Sequence, residues 1–247
     1  MFQKLKKSKK LLLVAMACAT FAIAGCGSDT TKTTADNGNA VTWSETFDGT
    51  KTDFAVKSSP THAVSMSQAT TEMMLQLGLE DKMAGTAFKE EEIYPPLQAA
   101  YDKVKVLSDK WPSYEVFMSV KPDFATGWPD SFSKRAIPAD KMIAQKVNIW
   151  LPESMLSTKA DLETNFNDMI KLGEIFGVKP KAEEWVTGQR KTLEAIQTKL
   201  KDLPRKRVFI YDSEDGQPFT AFEGYTTNIL KLIGADNVMS GLGVDKT

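Results

Sequence analysis

The chain has 247 residues, 42% of them hydrophobic, which is enough to build a substantial core in one large domain or two small ones. Its 31 basic and 32 acidic residues nearly balance, so the charge gives no reason to seek nucleic acid or to lie flat on anionic lipid. Only two cysteines and one histidine are present, which argues against a disulfide framework and against a zinc site of thiolates and imidazoles.

The N-terminal segment has the pattern of a secretion signal. Residues 1–10 carry five lysines and no acid, and the next fifteen, LLLVAMACATFAIAG, carry no charge. The apolar run is shorter than the ~20 residues that a spanning helix needs, and small residues close it before Cys26. We therefore predict a signal peptide over residues 1–25 instead of a permanent transmembrane anchor.

The string Ile23-Ala24-Gly25-Cys26 resembles the bacterial lipobox, in which the cysteine thiol receives diacylglycerol and the signal is cut just before it. The resemblance implies that Cys26 is the lipid anchor; the alternative is ordinary secretion with an incidental cysteine. Because Cys18 lies in the discarded part, no free thiol would remain in the folded part for a disulfide, a zinc site or a nucleophile. The mature chain would keep 26 basic against 32 acidic residues, a formal net charge of −6.

A polar segment and a hairpin are predicted next. Residues 26–40 are mostly Ser, Thr, Asp, Asn, Gly and Ala, so we predict a flexible linker that spaces the lipid anchor from the folded part. The following segment, VTWSETFDGTKTDFAV, places Asp48-Gly49 between two runs of strand-forming residues. This pattern predicts a small hairpin at the edge of the domain.

From Pro60 onward, short strand-like runs alternate with helical ones. The predicted strands are HAVSM, KVKVL, DFAT and VNIWL, and helices follow Ser67, Ser113 and Pro138. Strands that alternate with helices predict a parallel sheet covered on both faces. We therefore assign residues 41–157 to an N-terminal α/β lobe.

A well-delimited helix is predicted over residues 158–178, which we assign as a connecting helix. Thr158 and Asp161 form a candidate capping box, and Gly177 is placed to end a helix of roughly 18 residues. Its apolar stripe consists of Leu162, Phe166, Met169, Leu172 and Phe176.

A second helix is predicted from Pro180, and β/α alternation then resumes with RVFIYD, FTAF and a helix over about residues 225–233. Only 43 residues remain from Arg205, enough for one strand-turn-strand-helix unit. We therefore expect residues 179–247 to form a partial C-terminal α/β lobe and the sequence to be truncated.

The order of these motifs resembles the substrate-binding proteins of ATP-driven importers for iron complexes and cobalamin. The matching stretches are PTHAVSMSQATTEMMLQLGLEDKMAGTAF, YEVFMSVKPDFATGW, MIKLGEIFGV and GYTTNILKLIGADNV. The resemblance implies an α/β fold of two Rossmann-like lobes joined by a long helix, and we expect the second lobe to be truncated here.

The resemblance also implies a function. Such a receptor captures a ferric siderophore, haem or cobalamin and delivers it to an ABC permease, with the energy supplied by a separate ATPase subunit. Such a receptor performs no reaction and holds no resident cofactor, so we expect that this chain is not an enzyme. We expect a monomer held by its lipid anchor on the extracytoplasmic face of the cell membrane, in a periplasm or on the outer face.

In parallel sheets, ligands bind outside the carboxyl ends of the strands. Aromatic faces with a few charged donors suit a large, flat, partly anionic ligand, although an aromatic side chain in an α/β protein is often part of the core. Trp128 also resembles a ligand-contacting position of the cobalamin receptors, whereas Phe88 is assigned to the core. The candidate ligand-binding residues are Lys110, Trp111, Trp128 and Arg135 in the first lobe and Tyr211 and Tyr225 in the second.

Glu115 matches the family glutamate that pairs with an arginine of the permease. The alternative is that a carboxylate in the first turn of a helix simply complements the helix dipole. The corresponding position in the second lobe is Asn228, which departs from the usual glutamate. Neighbouring Glu223 is the available substitute.

Three other functions remain alternatives. A metal-ion receptor of the related branch normally needs several histidine and acidic ligands, and this chain has His62 alone, so we predict no metal site. A lipid-anchored hydrolase would have to recruit the same histidine, and no Gly-x-Ser-x-Gly, P-loop or Gly-x-Gly-x-x-Gly string is present. A surface lipoprotein that binds only partner proteins would not require aromatic residues at strand ends.

Overall fold

The computed structural model describes residues 40–242; the predicted signal peptide, Cys26 and nearly all of the predicted linker lie outside the described residues. In chain order the elements are β1 (Val41–Phe47), β2 (Thr50–Val56), β3 (Ala63–Met66), α1 (Gln68–Gln76), β4 (Met83–Ala87), α2 (Gln98–Tyr101), β5 (Val106–Ser108), α3 (Tyr114–Ser119), β6 (Phe124–Gly127), α4 (Ala139–Ala144), β7 (Asn148–Trp150), α5 (Leu162–Ile175), α6 (Lys179–Leu200), β8 (Lys206–Val208), α7 (Gly224–Leu232) and β9 (Ala235–Asn237).

The centre of the fold is a five-stranded parallel sheet in the order β5-β4-β3-β6-β7. Alternate residues of a strand point to opposite faces, and the two faces are covered by two hydrophobic clusters. Helices α1, α5 and α6 contribute to one cluster, and α3 and α4 to the other. The prediction of an α/β fold with a parallel sheet is confirmed.

The predicted hairpin is also present. Strands β1 and β2 pair antiparallel, and Asp48 and Gly49 both have positive φ, 48° and 78°, as a two-residue type I′ turn requires. The hairpin is attached to β7: the Trp43 indole N–H donates to the Ile149 carbonyl at 2.7 Å, and Glu45 accepts from the Leu151 N–H at 3.0 Å. Two hydrogen bonds from the same face of β1 thus supplement the apolar contact.

Helix α5 begins later than the sequence predicts. Asp161 is the N-cap: its carboxylate accepts from the Thr164 N–H at 2.9 Å, and the Thr164 hydroxyl accepts from the Asp161 N–H at 3.2 Å. The expected capping box of Thr158 and Asp161 is therefore wrong, because Asp161 already uses its side chain one turn further on. The helix has 14 residues, and its apolar face lies in the core of the sheet.

Helix α6, with 22 residues, is about 33 Å long at 1.5 Å per residue and leads from α5 to β8. Its first turns pack closely on α5, and most of its C-terminal half is exposed. These contacts favour α6 over residues 158–178 as the connector between lobes, and we propose it for that role.

The C-terminal unit consists of α7 and the parallel pair β8–β9. The Asn237 amide donates to the Thr227 hydroxyl at 2.8 Å and to the Ala221 carbonyl at 2.7 Å, which ties β9 to α7 and to the preceding loop. The prediction of a strand over FTAF is wrong. The Phe219 N–H donates to the Ser213 carbonyl at 2.7 Å within a local turn. Within residues 40–242, none of the helices has the length and apolar character needed to cross a membrane.

Close packing of α5 on α6 depends on Gly173. A Cβ added there would lie 2.7 Å from the Ala182 Cβ, too close for two carbons. We expect Gly173→Ala to lower the free energy of unfolding by about 1–2 kcal/mol, because the clash exceeds the ~1 kcal/mol gained in helix propensity. Denaturant unfolding of Gly173→Ala, Ala182→Gly and the double variant measures the coupling, which should be favourable.

Gly188 in α6 is the matched control, since a Cβ there meets nothing within 4 Å. Gly188→Ala should raise stability by about 0.5–1 kcal/mol. A stabilising Gly173→Ala, or additive effects in the double variant, would contradict the packing argument.

The buried carboxyl of Glu45 makes stability depend on pH. Burial raises the pKa of Glu45 to about 7, an effect to which the nearby charges of Glu153 and Asp168 add. Between the ordinary pKa of a glutamate and about 7, the folded state binds more protons than the unfolded state, so stability falls as pH rises through that window. The loss is nearly complete about one pH unit above that pKa, where both states are ionised.

Glu45→Gln removes this ionisation and keeps an acceptor for the Leu151 N–H. We expect the variant to raise Tm at pH 8 by about 2–4 °C or more, and to raise it much less at pH 5. Thermal unfolding at the two pH values measures the difference, and Glu194→Gln on the exposed face of α6 is the control. An equal effect of Glu45→Gln at both pH values would refute the titration of Glu45 in this range.

Candidate ligand-binding site

The loops that follow β3, β5 and β6 meet at the carboxyl edge of the sheet. The Met66 carbonyl, at the end of β3, accepts from the Trp111 indole N–H at 3.1 Å and from the Ser131 hydroxyl at 3.2 Å. Trp111 follows β5, and Ser131 lies three residues after Trp128 in the loop that follows β6. The central strand therefore holds two of the predicted ligand-binding loops together.

An aromatic stack lies at this edge. The rings of Phe88 and Trp111 are 4.6 Å apart between centroids and 19° from parallel, and the Lys110 Nζ is 6.0 Å from the Phe88 centroid. The assignment of Phe88 to the core is wrong, because its side chain is only half-buried and covers Trp111 at the end of β4. No periodic pattern indicated this position, since Phe88 directly follows a buried strand.

Phe88 also has an unusual backbone conformation, with φ of +59°. A bulky residue with positive φ is an outlier that persists only where its surroundings hold it. Such outliers are concentrated at ligand sites, so the backbone supports the same location as the ring stack.

The two remaining candidates of the first lobe are paired with acids. The Trp128 indole N–H donates to the Glu90 carboxylate at 3.3 Å, and Arg135 forms an exposed ion pair with Asp130 at 2.5 Å. Glu90 lies in the loop after β4, so Trp128 contacts the same loop that carries Phe88. Because Asp130 compensates the charge of Arg135, this guanidinium is a weaker hydrogen-bond donor for an anionic ligand.

The structure places the two tyrosines apart from this group. Tyr211 is 58% exposed and its hydroxyl donates to Glu214 at 3.2 Å. Tyr225 is half-buried in α7, and burial raises its pKa, an effect to which Asp168 and Asp161 add. Within residues 40–242, no hydrogen bond or ring contact joins either tyrosine to the Phe88–Trp111 stack.

The predicted docking residues occupy different environments. Glu115 is exposed in the first turn of α3, and hydrogen bonds from its own backbone N–H and from Ser113 lower its pKa, so it is ionised at neutral pH. The Asn228 amide donates to the Ala160 carbonyl at 3.0 Å. The Glu223 carboxylate accepts from the Ser240 hydroxyl at 2.8 Å and the Gly241 N–H at 2.7 Å. The docking role of Glu115 stays a prediction.

The described part of the chain has no group of three or more His, Cys, Asp or Glu side chains placed to hold a metal ion. His62 is exposed at the start of β3, and its backbone N–H donates to Asp123 at 3.0 Å. What the edge of the sheet does present is aromatic surface. This surface suits the face of a flat organic ligand.

A parallel α/β sheet with aromatic side chains gathered at its carboxyl edge, followed by a long helix and a further β/α unit, is the arrangement of an α/β solute-binding protein. The chain belongs to the periplasmic binding protein family, whose model matches residues 64–245. The expected family resemblance is confirmed, and the family is one of solute-binding transport proteins.

Individual relatives agree with this assignment. The chain is 26% identical over 240 residues to the uncharacterized ABC transporter substrate-binding lipoprotein YvrC of Bacillus subtilis, covering 94% of this chain and 73% of that protein. It is 24% identical over 180 residues to the vitamin B12-binding protein of Vibrio vulnificus, covering 72% of this chain and 61% of that protein. The crystal structure of a periplasmic binding protein from Veillonella parvula superposes with a TM-score of 0.84 at 95% identity, covering 85% of this chain and 71% of that one.

The Phe88–Trp111 stack can be tested by a double-mutant cycle. We expect Phe88→Leu and Trp111→Leu to show a coupling of about 1 kcal/mol in the free energy of unfolding, because a stacked aromatic pair contributes beyond its buried area. Denaturant unfolding of both single variants and the double variant gives the coupling. Phe88 paired with Trp185, which packs on Phe166 in another cluster, is the control cycle and should be additive. Additivity in the first cycle would contradict the stack.

Proposed function

We propose that this chain is the receptor of an ABC importer, capturing an organic ligand at the carboxyl edge of its first lobe and delivering it to the permease. The observation that carries the proposal is the aromatic group of Phe88, Trp111 and Trp128, which three different loops bring to one edge of the sheet. Such a group is a stacking surface for a large flat ligand. The second lobe, which follows α6, would contribute Tyr211 and Tyr225 from the opposite side.

The charges at this edge select among the candidate ligands. Arg135 is paired with Asp130. Glu90, which accepts from Trp128, is followed by Glu91 and Glu92 in the same loop, against Lys89 and Lys110. An edge with this balance favours a neutral ligand rich in amides over one with several carboxylates. We therefore rank cobalamin ahead of haem and ferric siderophores, in agreement with the vitamin B12-binding relative. Lys110 and Arg135 would contact the ligand periphery.

The remaining roles follow from the family and its lipoprotein relative. We infer that residues 1–25 are removed and that Cys26 carries lipid, so that a linker over residues 26–40 holds a monomeric receptor at the extracytoplasmic face. The protein performs no reaction on its ligand. Import is driven by ATP hydrolysis on a separate subunit, and Glu115 contacts the permease.

Intrinsic tryptophan fluorescence of the soluble chain from Gly27 tests the ligand. We expect saturable quenching by cyanocobalamin, with weaker or no quenching by haem or a ferric hydroxamate, after inner-filter correction. Trp128→Ala and Trp111→Ala should each raise Kd about tenfold or more, because each removes a stacking face. The matched control is Trp185→Phe, which lies between α1, α5 and α6 and should leave Kd unchanged.

Two results would overturn the assignment. One is an absence of saturable quenching with all three probes, which would reject these ligand classes. The other is a Kd that both site variants leave unchanged, which would place the ligand elsewhere.

The docking role of Glu115 has its own test. Glu115→Ala should leave the Kd for cyanocobalamin unchanged and lower uptake by cells that carry the cognate permease, because the side chain is exposed and its hydrogen bonds are to Ser113 and its own backbone N–H. The control is Glu184→Ala on the exposed face of α6. Normal uptake by Glu115→Ala would reject the role.

A further inference from the structure

Two side chains of α1 bind the loop that follows β4. The Gln68 carbonyl Oε1 accepts from the Glu90 and Glu91 N–H groups at 2.9 and 2.7 Å. Its Nε2 donates to the Glu92 carbonyl at 3.2 Å and to the Glu72 carboxylate at 2.9 Å. The same Glu72 oxygen accepts from the Tyr94 N–H at 3.1 Å. Gln68 thus uses both ends of its amide.

The loop needs these bonds because residues 88–94 belong to neither a helix nor a strand. Backbone N–H and C=O groups without regular partners must be satisfied by side chains or water. A primary amide can accept two hydrogen bonds and donate two, which is the pattern that Gln68 shows. A carboxylate in its place could accept the two bonds but could not donate.

Both ends of the aromatic site depend on this loop. Phe88 begins it and stacks on Trp111 at 4.6 Å, and Glu90 within it accepts from Trp128 at 3.3 Å. Phe88 also holds a positive φ that its surroundings must maintain. Movement of the loop would therefore change the surface that either tryptophan presents.

The start of α1 is itself a rigid support. Ser67 caps the helix by accepting from the Thr70 N–H at 3.2 Å. Beneath it, the Thr71 hydroxyl bonds to Ser65 at 2.8 Å and to Thr86 at 2.6 Å. All five side chains are buried, and Ser65 and Thr86 pair in register on β3 and β4. Gln68, next to the cap, is held in place by this hydroxyl network.

We propose that Gln68 is a positioning residue of the ligand site: its amide fixes the loop from Phe88 to Tyr94 and so sets the placement of Phe88 and Glu90 against Trp111 and Trp128. Gln68 touches no ligand in this role. The effect on affinity rests on the function proposed above, whereas the effect on the loop does not.

The test compares three variants of the full chain. Gln68→Met removes all four amide bonds at similar volume, and Gln68→Glu keeps the acceptor for Glu90 and Glu91. Gln76→Met makes the same replacement about two turns further along α1 and is the control. Hydrogen exchange of the peptide covering residues 88–94, acrylamide quenching of tryptophan and Kd for cyanocobalamin are measured for each.

We expect Gln68→Met to speed exchange in this peptide about tenfold or more, to raise acrylamide quenching, and to raise Kd about tenfold. Gln68→Glu keeps the two accepted bonds but places a carboxylate against that of Glu72, so it should lose protection as well. Peptides outside residues 88–94 should keep their exchange rates in both variants, which a general loss of stability would not allow. Gln76→Met should match the unmodified chain in all three.

Exchange in Gln68→Met equal to that in Gln76→Met overturns the proposal, as does an equal rise in exchange in peptides outside residues 88–94. If the unmodified chain does not bind cyanocobalamin, the proposed ligand fails. Exchange and quenching then still decide the role of Gln68, because both are read without ligand.

Discussion

The carbonyl of Met66 is the fixed point on which the ligand edge depends. It ends the central strand β3, whose residues are completely buried, and it accepts from both Trp111 and Ser131. Because β3 pairs with β4 on one side and β6 on the other, this carbonyl is held by the whole sheet. Trp111 is consequently positioned by a buried backbone acceptor, and the loop that carries Trp128 is held to the same acceptor through Ser131.

Much of this fold was predictable because its signals are local. The Asp48-Gly49 turn, the Ser67 cap and the alternation of strands with helices each follow from residue type and spacing. The end of each strand also marked Trp111 and Trp128 as edge residues. Asp161 as the cap of α5 was missed although its partner Thr164 is only three residues away. Phe88 as a stacking residue was not predictable, because it depends on Trp111, which is distant in sequence.

The site differs from its sequence-based prediction mainly in charge. Lys110 and Arg135 suggested a partly anionic ligand, since a linear sequence shows cations without showing their partners. In the structure Asp130 forms an ion pair with Arg135, and the Glu90 carboxylate accepts a hydrogen bond from the indole N–H of Trp128. An exposed ion pair contributes little to stability, so its main consequence here is the loss of a free cation at the edge. Aromatic surface, more than charge, is therefore what the edge offers a ligand.

The same kind of contact recurs around the carboxyl edge of the sheet. In each loop, a backbone or side-chain group donates a hydrogen bond to an oxygen acceptor on a neighbouring element. Gln68 holds the loop after β4, and Met66 holds those after β5 and β6. After β7, Glu45 accepts from Leu151, and Asp168 accepts from the Glu153 and Ser154 N–H groups, both at 2.9 Å. Burial raises the pKa of both carboxyls, because removing a carboxylate from water disfavours its charged form. A loop bound only by apolar contacts would not have this desolvation cost. Loops fixed in this way lose little conformational entropy when a ligand arrives, which is the property expected of a preorganised receptor surface.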